Sequence, residues 1–316
     1  MNDWKILITD GLHESGQAIL RANAQVDAPK DISAEELLKV IGEYDAMIVR
    51  GRTKVVPAVF DAARKLRAIG RAGVGVDNID LNAAKAHHVT VVNAPQSTSL
   101  AVAELTIGLM FSLARMIPRA DSTMKAGQWI KKELEGVELN GKTLGIIGMG
   151  NIGSAVAQRC GALGMIVLGY DALVPAESIH KRGAEPVALD ELYNHSDFIS
   201  LHIPLTAETR GLIGAEAFNK MKKGVRFVTA ARGGIVDEAA LLEALNSGQV
   251  AASALDVFIE EPPKNPTTTA LVAHPRVVAT PHIGAQSEEA QTRASADIAF
   301  EVLAALKGEN LRWKVV

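Results

Sequence analysis

The stretch Gly148-Met149-Gly150-Asn151-Ile152-Gly153 decides how the rest of the chain is read. In front of it, Lys142-Thr143-Leu144-Gly145-Ile146-Ile147 is apolar and short enough for a buried strand. Behind it, Ser154 to Leu163 reads as a helix, and Ile166-Val167-Leu168-Gly169-Tyr170 as a second strand ending in Asp171. Strand, glycine turn, helix, strand, and an acid about 20 residues beyond the glycines is the layout that binds a dinucleotide. Gly148 turns the chain tightly, Gly150 lets backbone approach a pyrophosphate, and Gly153 lets the helix pack close to the strand. The helix N-terminus offers N–H groups and a partial positive charge to phosphate. Asp171 can accept from both ribose hydroxyls and repels a 2′-phosphate, and Ala172-Leu173-Val174 bring no arginine to receive one. NAD is therefore the expected cofactor, rather than NADP.

Outward from this turn, a length of 316 residues suggests two domains. A hydrophobic share of 48% with 22% charged residues suits well-cored domains. The net charge of −3, with no long run of Lys or Arg, does not invite nucleic acid or an acidic membrane surface. The one cysteine, Cys160, excludes an internal disulfide, suggests a reducing cytoplasm, and lies in the helix after the turn, where packing is its expected role. Met1-Asn2-Asp3-Trp4-Lys5 runs directly into strand-like Ile6-Leu7-Ile8, so no signal peptide is read there. The apolar run Leu105 to Ala114, between Glu104 and Arg115, is too short to span a bilayer. No metal site is expected.

On the N-terminal side of the turn, strands are predicted at Lys5–Thr9, Ala46–Val49, Leu66–Gly70 and Val89–Asn93. Helices fall at His13–Ala22, after Ser33 as an N-cap with an acid three residues on, and at Pro57. A long apolar helix follows from Ser99 to Ile117. On the C-terminal side, strands are expected near Pro186–Ala188, Phe198–His202, Val225–Ala230, Val250–Asp256 and Val277–Thr280, with a last helix from Ser287 to Lys307. Strands alternating with helices on both sides imply an α/β chain of two doubly wound parallel sheets.

Open sheets of this kind bind ligands beyond the carboxyl ends of their strands. The polar residues expected there are Arg50 and Arg71 in the first unit, and Asp171, His202, Arg232, Asp256 and His282 in the second. Three arginines with a histidine suggest an anionic substrate, because a guanidinium grips carboxylate or phosphate in a bidentate fork. Arg232 precedes Gly233-Gly234, which would leave it at the rim; the plainer alternative pairs it with Asp237 or Glu238. Of the two acids in Phe258-Ile259-Glu260-Glu261-Pro262, one is expected to orient His282 and favour its protonated form; the alternative is a solvated acidic turn. His202 and the remaining histidines read as structural.

Five segments together are similar to the D-2-hydroxyacid dehydrogenase family: Gly70-Arg71-Ala72-Gly73-Val74-Gly75-Val76-Asp77-Asn78, the glycine turn, Ala231-Arg232-Gly233-Gly234-Ile235-Val236-Asp237-Glu238, Leu255-Asp256-Val257-Phe258-Ile259-Glu260-Glu261-Pro262, and Thr280-Pro281-His282-Ile283-Gly284-Ala285. They cover nearly the whole chain in the family's order. The resemblance implies a Rossmann NAD-binding domain (98–283) inserted into a discontinuous, flavodoxin-like substrate domain (1–97 plus 284–316). It implies catalytic roles for Arg232, Glu261 and His282. It implies cofactor contacts at Val74, Gly148, Gly150, Asn151, Ile152, Gly153, Asp171, Ile203, Ala230, Ala231, Arg232, Asp256, His282, Gly284 and Ala285. Substrate contacts are implied at Arg50, Arg71, Gly73, Asn93, Arg232 and His282. The expected reaction is NAD-dependent oxidation of 3-phospho-D-glycerate to 3-phosphohydroxypyruvate. Hydroxypyruvate, glyoxylate and sulfolactate remain as alternative substrates, and an NAD(H)-sensing binding protein as an alternative of another class. A homodimer through the cofactor domain is implied, with Trp129 at the interface and a tetramer as the alternative. Three departures stand out: Asn151 where the family commonly has Arg, Thr229 where Asn is frequent, and an end at Val316 that leads us to expect no serine feedback through a regulatory domain.

Overall fold

A computed structural model describes residues 3–316. By contacts the chain divides into two units, 1–99 with 285–316 and 100–284.

The first unit opens with β1 (Lys5–Ile8), α1 (Glu14–Arg21), β2 (Gln25–Asp27), α2 (Ala34–Val40), β3 (Ala46–Val49), α3 (Pro57–Ala62), β4 (Ala68–Arg71), α4 (Leu81–Ala86) and β5 (Thr90–Asn93). The strands lie in the order β2-β1-β3-β4-β5, with every pairing parallel. Their side chains alternate between two cores, as a period of two requires in a sheet covered on both faces. Leu7, Met47, Ile69 and Val91 enter one, and Ile6, Ile8, Ile48 and Val92 the other. The Ser33 signal is realised in full: its hydroxyl accepts from Glu36 N, and Glu36 reaches back to the Ser33 amide.

The second unit begins with α5 (Ser99–Arg115) and α6 (Ile117–Lys125). Here the predicted single helix to Ile117 is corrected. Met116 adopts φ 51°, a left-handed conformation, and Pro118 sits in the first turn of a new helix, so the two helices meet at a 66° bend. No single helix among the described residues is long and apolar enough to cross a membrane. There follow β6 (Thr143–Ile147), α7 (Asn151–Ala162), β7 (Ile166–Tyr170), α8 (Ala176–Lys181), β8 (Glu185–Pro186), α9 (Leu189–His195), β9 (Phe198–Leu201), α10 (Ala215–Lys220), β10 (Val225–Thr229), α11 (Glu238–Ser247), β11 (Val250–Leu255), α12 (Pro266–Ala273) and β12 (Val277–Ala279). The seven strands are all parallel, in the order β12-β11-β10-β9-β6-β7-β8. The direction of winding reverses between β6 and β9, which is the switch point where such sheets bind ligands. Cys160 is buried in α7, and burial pushes its thiol up to about 12, so it packs and does not react.

The chain then returns to the first unit as α13 (Glu288–Lys307), which packs on α1 and β4. Buried Glu301 on α13 accepts from the amides of Arg312 and Trp313, and Trp313 in turn accepts from the Asn93 amide at the sheet edge.

Candidate functional site

The glycine turn has the shape its sequence demands. Gly148 takes φ 98°, and a Cβ there would lie 2.5 Å from the His202 carbonyl oxygen and 2.8 Å from Ile203. A Cβ on Gly153 would lie 1.9 Å from the Gly148 carbonyl, so β6 and α7 can approach this closely only around glycine. Beyond Gly150 lies open space. Gly150 is also the N-cap of α7 and gives its amides no side-chain acceptor. Asn151 and Ile152 form the first turn. Uncapped amides, open space and a helix N-terminus together fit a pyrophosphate.

Asp171, at the end of β7, closes the turn from one side. Its Oδ2 accepts from Met149 N at 2.7 Å, and its Oδ1 from Leu173 N at 2.8 Å and Val174 N at 3.1 Å. Each carboxylate oxygen has two lone pairs, so capacity remains for ribose hydroxyls. His202, at the end of β9, bonds Ser200 Oγ through Nε2 at 2.5 Å while its Nδ1 is buried, and burial pushes its pKa down to about 4. It is a neutral histidine bonded within its own strand end.

A second cluster forms at the ends of β10, β11 and β12. His282 Nδ1 lies 2.7 Å from Glu261 Oε2, and Glu261 Oε1 accepts from Phe258 N at 3.0 Å. Burial alone would raise the Glu261 pKa. The hydrogen bonds from His282 and the Phe258 amide, with the charges of His282 and Arg232, outweigh it and hold the carboxyl below its ordinary value. Glu260 instead accepts from Asn265. The alternative partners of Arg232 are engaged elsewhere: Asp237 caps α11, and Glu238 takes Ile259 N and Thr268 Oγ1. Arg232 Nη1 donates to the Ala231 carbonyl at 2.7 Å, beside buried Ala230 and Ala231.

Asp256 has a part that sequence reasoning missed. It is 1% exposed, and its oxygens accept from Thr280 Oγ1 at 2.5 Å, Ile283 N at 2.8 Å and Gly284 N at 2.9 Å. His282 between them has φ 52°, a conformation that costs a non-glycine residue on the order of 1–3 kcal/mol. The Asp256 bonds hold the segment in that shape, which turns the imidazole toward Glu261. A buried acid closing a strand is the signal that points to such a role, but its partners lie more than twenty residues away in sequence.

The other expected residues belong to the first unit. Arg50 follows β3, and its guanidinium has no hydrogen-bond partner among the described residues; burial pushes its pKa down. Arg71 ends β4 and donates through Nη1 to the Ala72 carbonyl at 3.3 Å. Gly73 has φ 145°, and a Cβ there would sit 1.6 Å from Arg71 Nη1, so the absent side chain is what lets the guanidinium fold over it. Asn93 Nδ2 donates to the Val74 carbonyl at 2.7 Å, tying this loop to β5. Ala285 accepts from Gln291 on α13.

Comparison with known proteins places these residues among relatives. Residues 107–284 match the family model described as D-isomer specific 2-hydroxyacid dehydrogenase, NAD binding domain. A D-3-phosphoglycerate dehydrogenase of Methanocaldococcus jannaschii is 48% identical over 307 residues, which is 96% of this chain and 58% of that protein. The chain thus spans about half to three fifths of the length of such relatives. A glyoxylate reductase structure from Paecilomyes thermophila superposes with TM-score 0.89 at 31% identity, over 100% of this chain and 99% of that one. A D-lactate dehydrogenase structure from Aquifex aeolicus, complexed with NAD and lactic acid, gives TM-score 0.86 at 29% identity over 96% of each chain.

Proposed function

The chain belongs to the D-isomer specific 2-hydroxyacid dehydrogenases, and on that footing we propose that it oxidises 3-phospho-D-glycerate to 3-phosphohydroxypyruvate with NAD. The observation that carries this reading is the 2.7 Å pair of His282 and Glu261, in the same unit as the glycine turn and within the reach of the Arg232 charge. When bound, NAD supplies the hydride acceptor. The protein's own residues do the rest. Nδ1 of His282 is committed to Glu261, so Nε2 is the nitrogen that takes the C2 hydroxyl proton and returns it in the reverse direction. Glu261 fixes the ring and balances the charge it gains. Arg232 binds the substrate carboxylate and polarises the C2 oxygen. Asp171 takes the adenosine ribose, and the amides of Asn151 and Ile152 the pyrophosphate.

Arg50 and Arg71 are proposed to hold the substrate's phosphate. Arg50 supports this most directly, as a half-buried guanidinium that makes no side-chain hydrogen bond among the described residues and feels the charge of Asp10 only at a distance. Relatives near 47% identity that are named D-3-phosphoglycerate dehydrogenase, from archaea, a plant and mammals, support the choice of acid. Part of the same proposal is a homodimer through the second unit. It rests on the exposed apolar side chains Phe111, Ile117, Met124 and Trp129, the last 78% exposed. A cytoplasmic setting, resting on the single cysteine, completes it.

The test is NADH formation from 3-phospho-D-glycerate beside D-lactate, glycolate and sulfolactate at one pH. Phosphoglycerate should have the highest kcat/KM. The second reading is a dehydrogenase of another 2-hydroxy acid, favoured by the glyoxylate reductase and D-lactate dehydrogenase names of the structural neighbours. It wins if one of those acids is turned over more efficiently.

A further inference from the structure

The glycine turn lacks a cation at Asn151, yet the folded turn does have one. Arg182, one residue past the end of α8, directs Nη1 to the carbonyl oxygen of Met149. Met149 is the same residue whose amide donates to Asp171, so a carboxylate and a guanidinium hold the two ends of one residue in the phosphate-binding turn. Ser154 Oγ donates to the same carbonyl at 3.1 Å.

Arg67, Arg159, Arg276 and Arg293 also bond a backbone carbonyl and no carboxylate among the described residues, but of these five guanidinium groups only that of Arg182 has its acceptor in the glycine turn. Arg21, Arg52, Arg119 and Arg312 each pair with one or more carboxylates. Arg182 is half-buried, makes this one side-chain hydrogen bond among the described residues, and has no carboxylate within ion-pair distance there. A guanidinium carries five N–H donors in a rigid fork that matches phosphate geometry. A single carbonyl uses one of them and neutralises none of the charge. A partly buried guanidinium whose charge is unmatched attracts an anion that comes within reach, and here the neighbouring backbone is the phosphate-binding turn.

We propose that Arg182 is a cofactor-binding residue: docked on the Met149 carbonyl, it presents its remaining donors to a phosphate group of the dinucleotide and supplies the positive charge that Asn151 does not. This rests on the NAD-binding reading of the turn. It changes how the turn selects its ligand. The charge comes from the residue just beyond α8, and the exclusion of a 2′-phosphate falls to Asp171, which holds the amide of the residue whose carbonyl Arg182 holds.

The experiment is direct binding of NADH, NADPH and adenosine to the wild-type protein and to Arg182→Gln and Arg182→Met, by fluorescence or calorimetry at low and high salt. Gln keeps a donor for the Met149 carbonyl and loses the charge, so it separates a bound phosphate from simple support of the turn. Both variants should bind NADH roughly tenfold more weakly, with a smaller salt dependence and unchanged adenosine binding. Loss for NADH and NADPH alike identifies the pyrophosphate as the partner. Loss for NADPH alone overturns the proposal, because Arg182 would then meet only a 2′-phosphate that NAD lacks. Unchanged binding of both dinucleotides, or recovery of wild-type affinity by Gln, overturns the proposal while leaving the NAD site intact. Failure of the wild-type protein to bind NADH overturns both.

Discussion

The two units build the same turn, from first strand to first helix, in opposite ways. In the first, β1 leads through Asp10-Gly11-Leu12-His13 to α1. His13 caps that helix with its own side chain, accepting from Ser15 N at 3.2 Å. Asp10 fills the space beyond the strand, accepting from Arg50 N and Thr53 N and taking the Arg52 guanidinium at 3.4 Å. In the second, β6 leads to α7 through Gly148-Met149-Gly150, and no side chain caps the helix. The first helix has a side-chain acceptor at its N-terminus, and the second leaves its first-turn amides without one. The same α/β pattern therefore does not imply the same ligand. What decides is whether a side-chain acceptor stands at the cap.

Replacing His282 by Ala is the sharpest way to split the units by task. Turnover should fall by about 10²–10⁴-fold while NADH still binds, since the glycine turn is untouched. Near-normal turnover in a stopped-flow assay would remove His282 from the proton transfer.

Acid gives the next effect. His202 stays neutral in the folded second unit down to about pH 4, whereas the unfolded chain protonates it near its ordinary 6.5. The unfolded state thus binds more protons in that window. The stability His202 contributes is complete above pH 6.5 and is lost as pH falls toward 4, on the order of 3 kcal/mol in all. Denaturant melts from pH 7 to 4 should show this slope, and His202→Asn should flatten it. An identical slope in the variant would assign the acid sensitivity to other groups.

A third comparison places one methyl group in each turn. Gly153→Ala forces a Cβ onto the Gly148 carbonyl and should cost about 2–3 kcal/mol of stability together with NADH affinity. Gly11→Ala meets no atom within 4 Å and strains only a φ of 72°, so about 1 kcal/mol is expected, with NADH binding unchanged. Equal effects in thermal melts would mean that the two turns are not as different as their contacts indicate. Smallest is Arg50→Met in the first unit. It should raise KM for the phosphorylated acid about tenfold and leave the NADH dissociation constant alone.

Much of this was legible from residue order. Buried strands announce themselves as apolar runs, and the glycine turn with Asp171 points to the proposed cofactor site. β2 was not legible, because Gln25-Val26-Asp27 is a short edge strand with no buried residue to mark it. The break at Met116 was missed because a left-handed conformation in a residue with a side chain leaves no local signal, although Pro118 hints at a restart. In the catalytic cluster, residue types alone left Glu260 and Glu261 equivalent, and the resemblance favoured Glu261. Folding separates them, giving one to His282 and the other to Asn265. Arg182 could not be found by reading near the turn, since its carbonyl partner lies thirty-three residues earlier.

Asp171 closes its own loop before any nucleotide arrives, with Met149, Leu173 and Val174 already bonded to it. The entropy of ordering residues 171–174 is therefore lost when the chain folds and is not charged again on association. For the adenosine end of NAD proposed to bind here, the loop is a preformed mould. Its encounter with the cofactor should show a single fast phase, set by collision rather than by rearrangement.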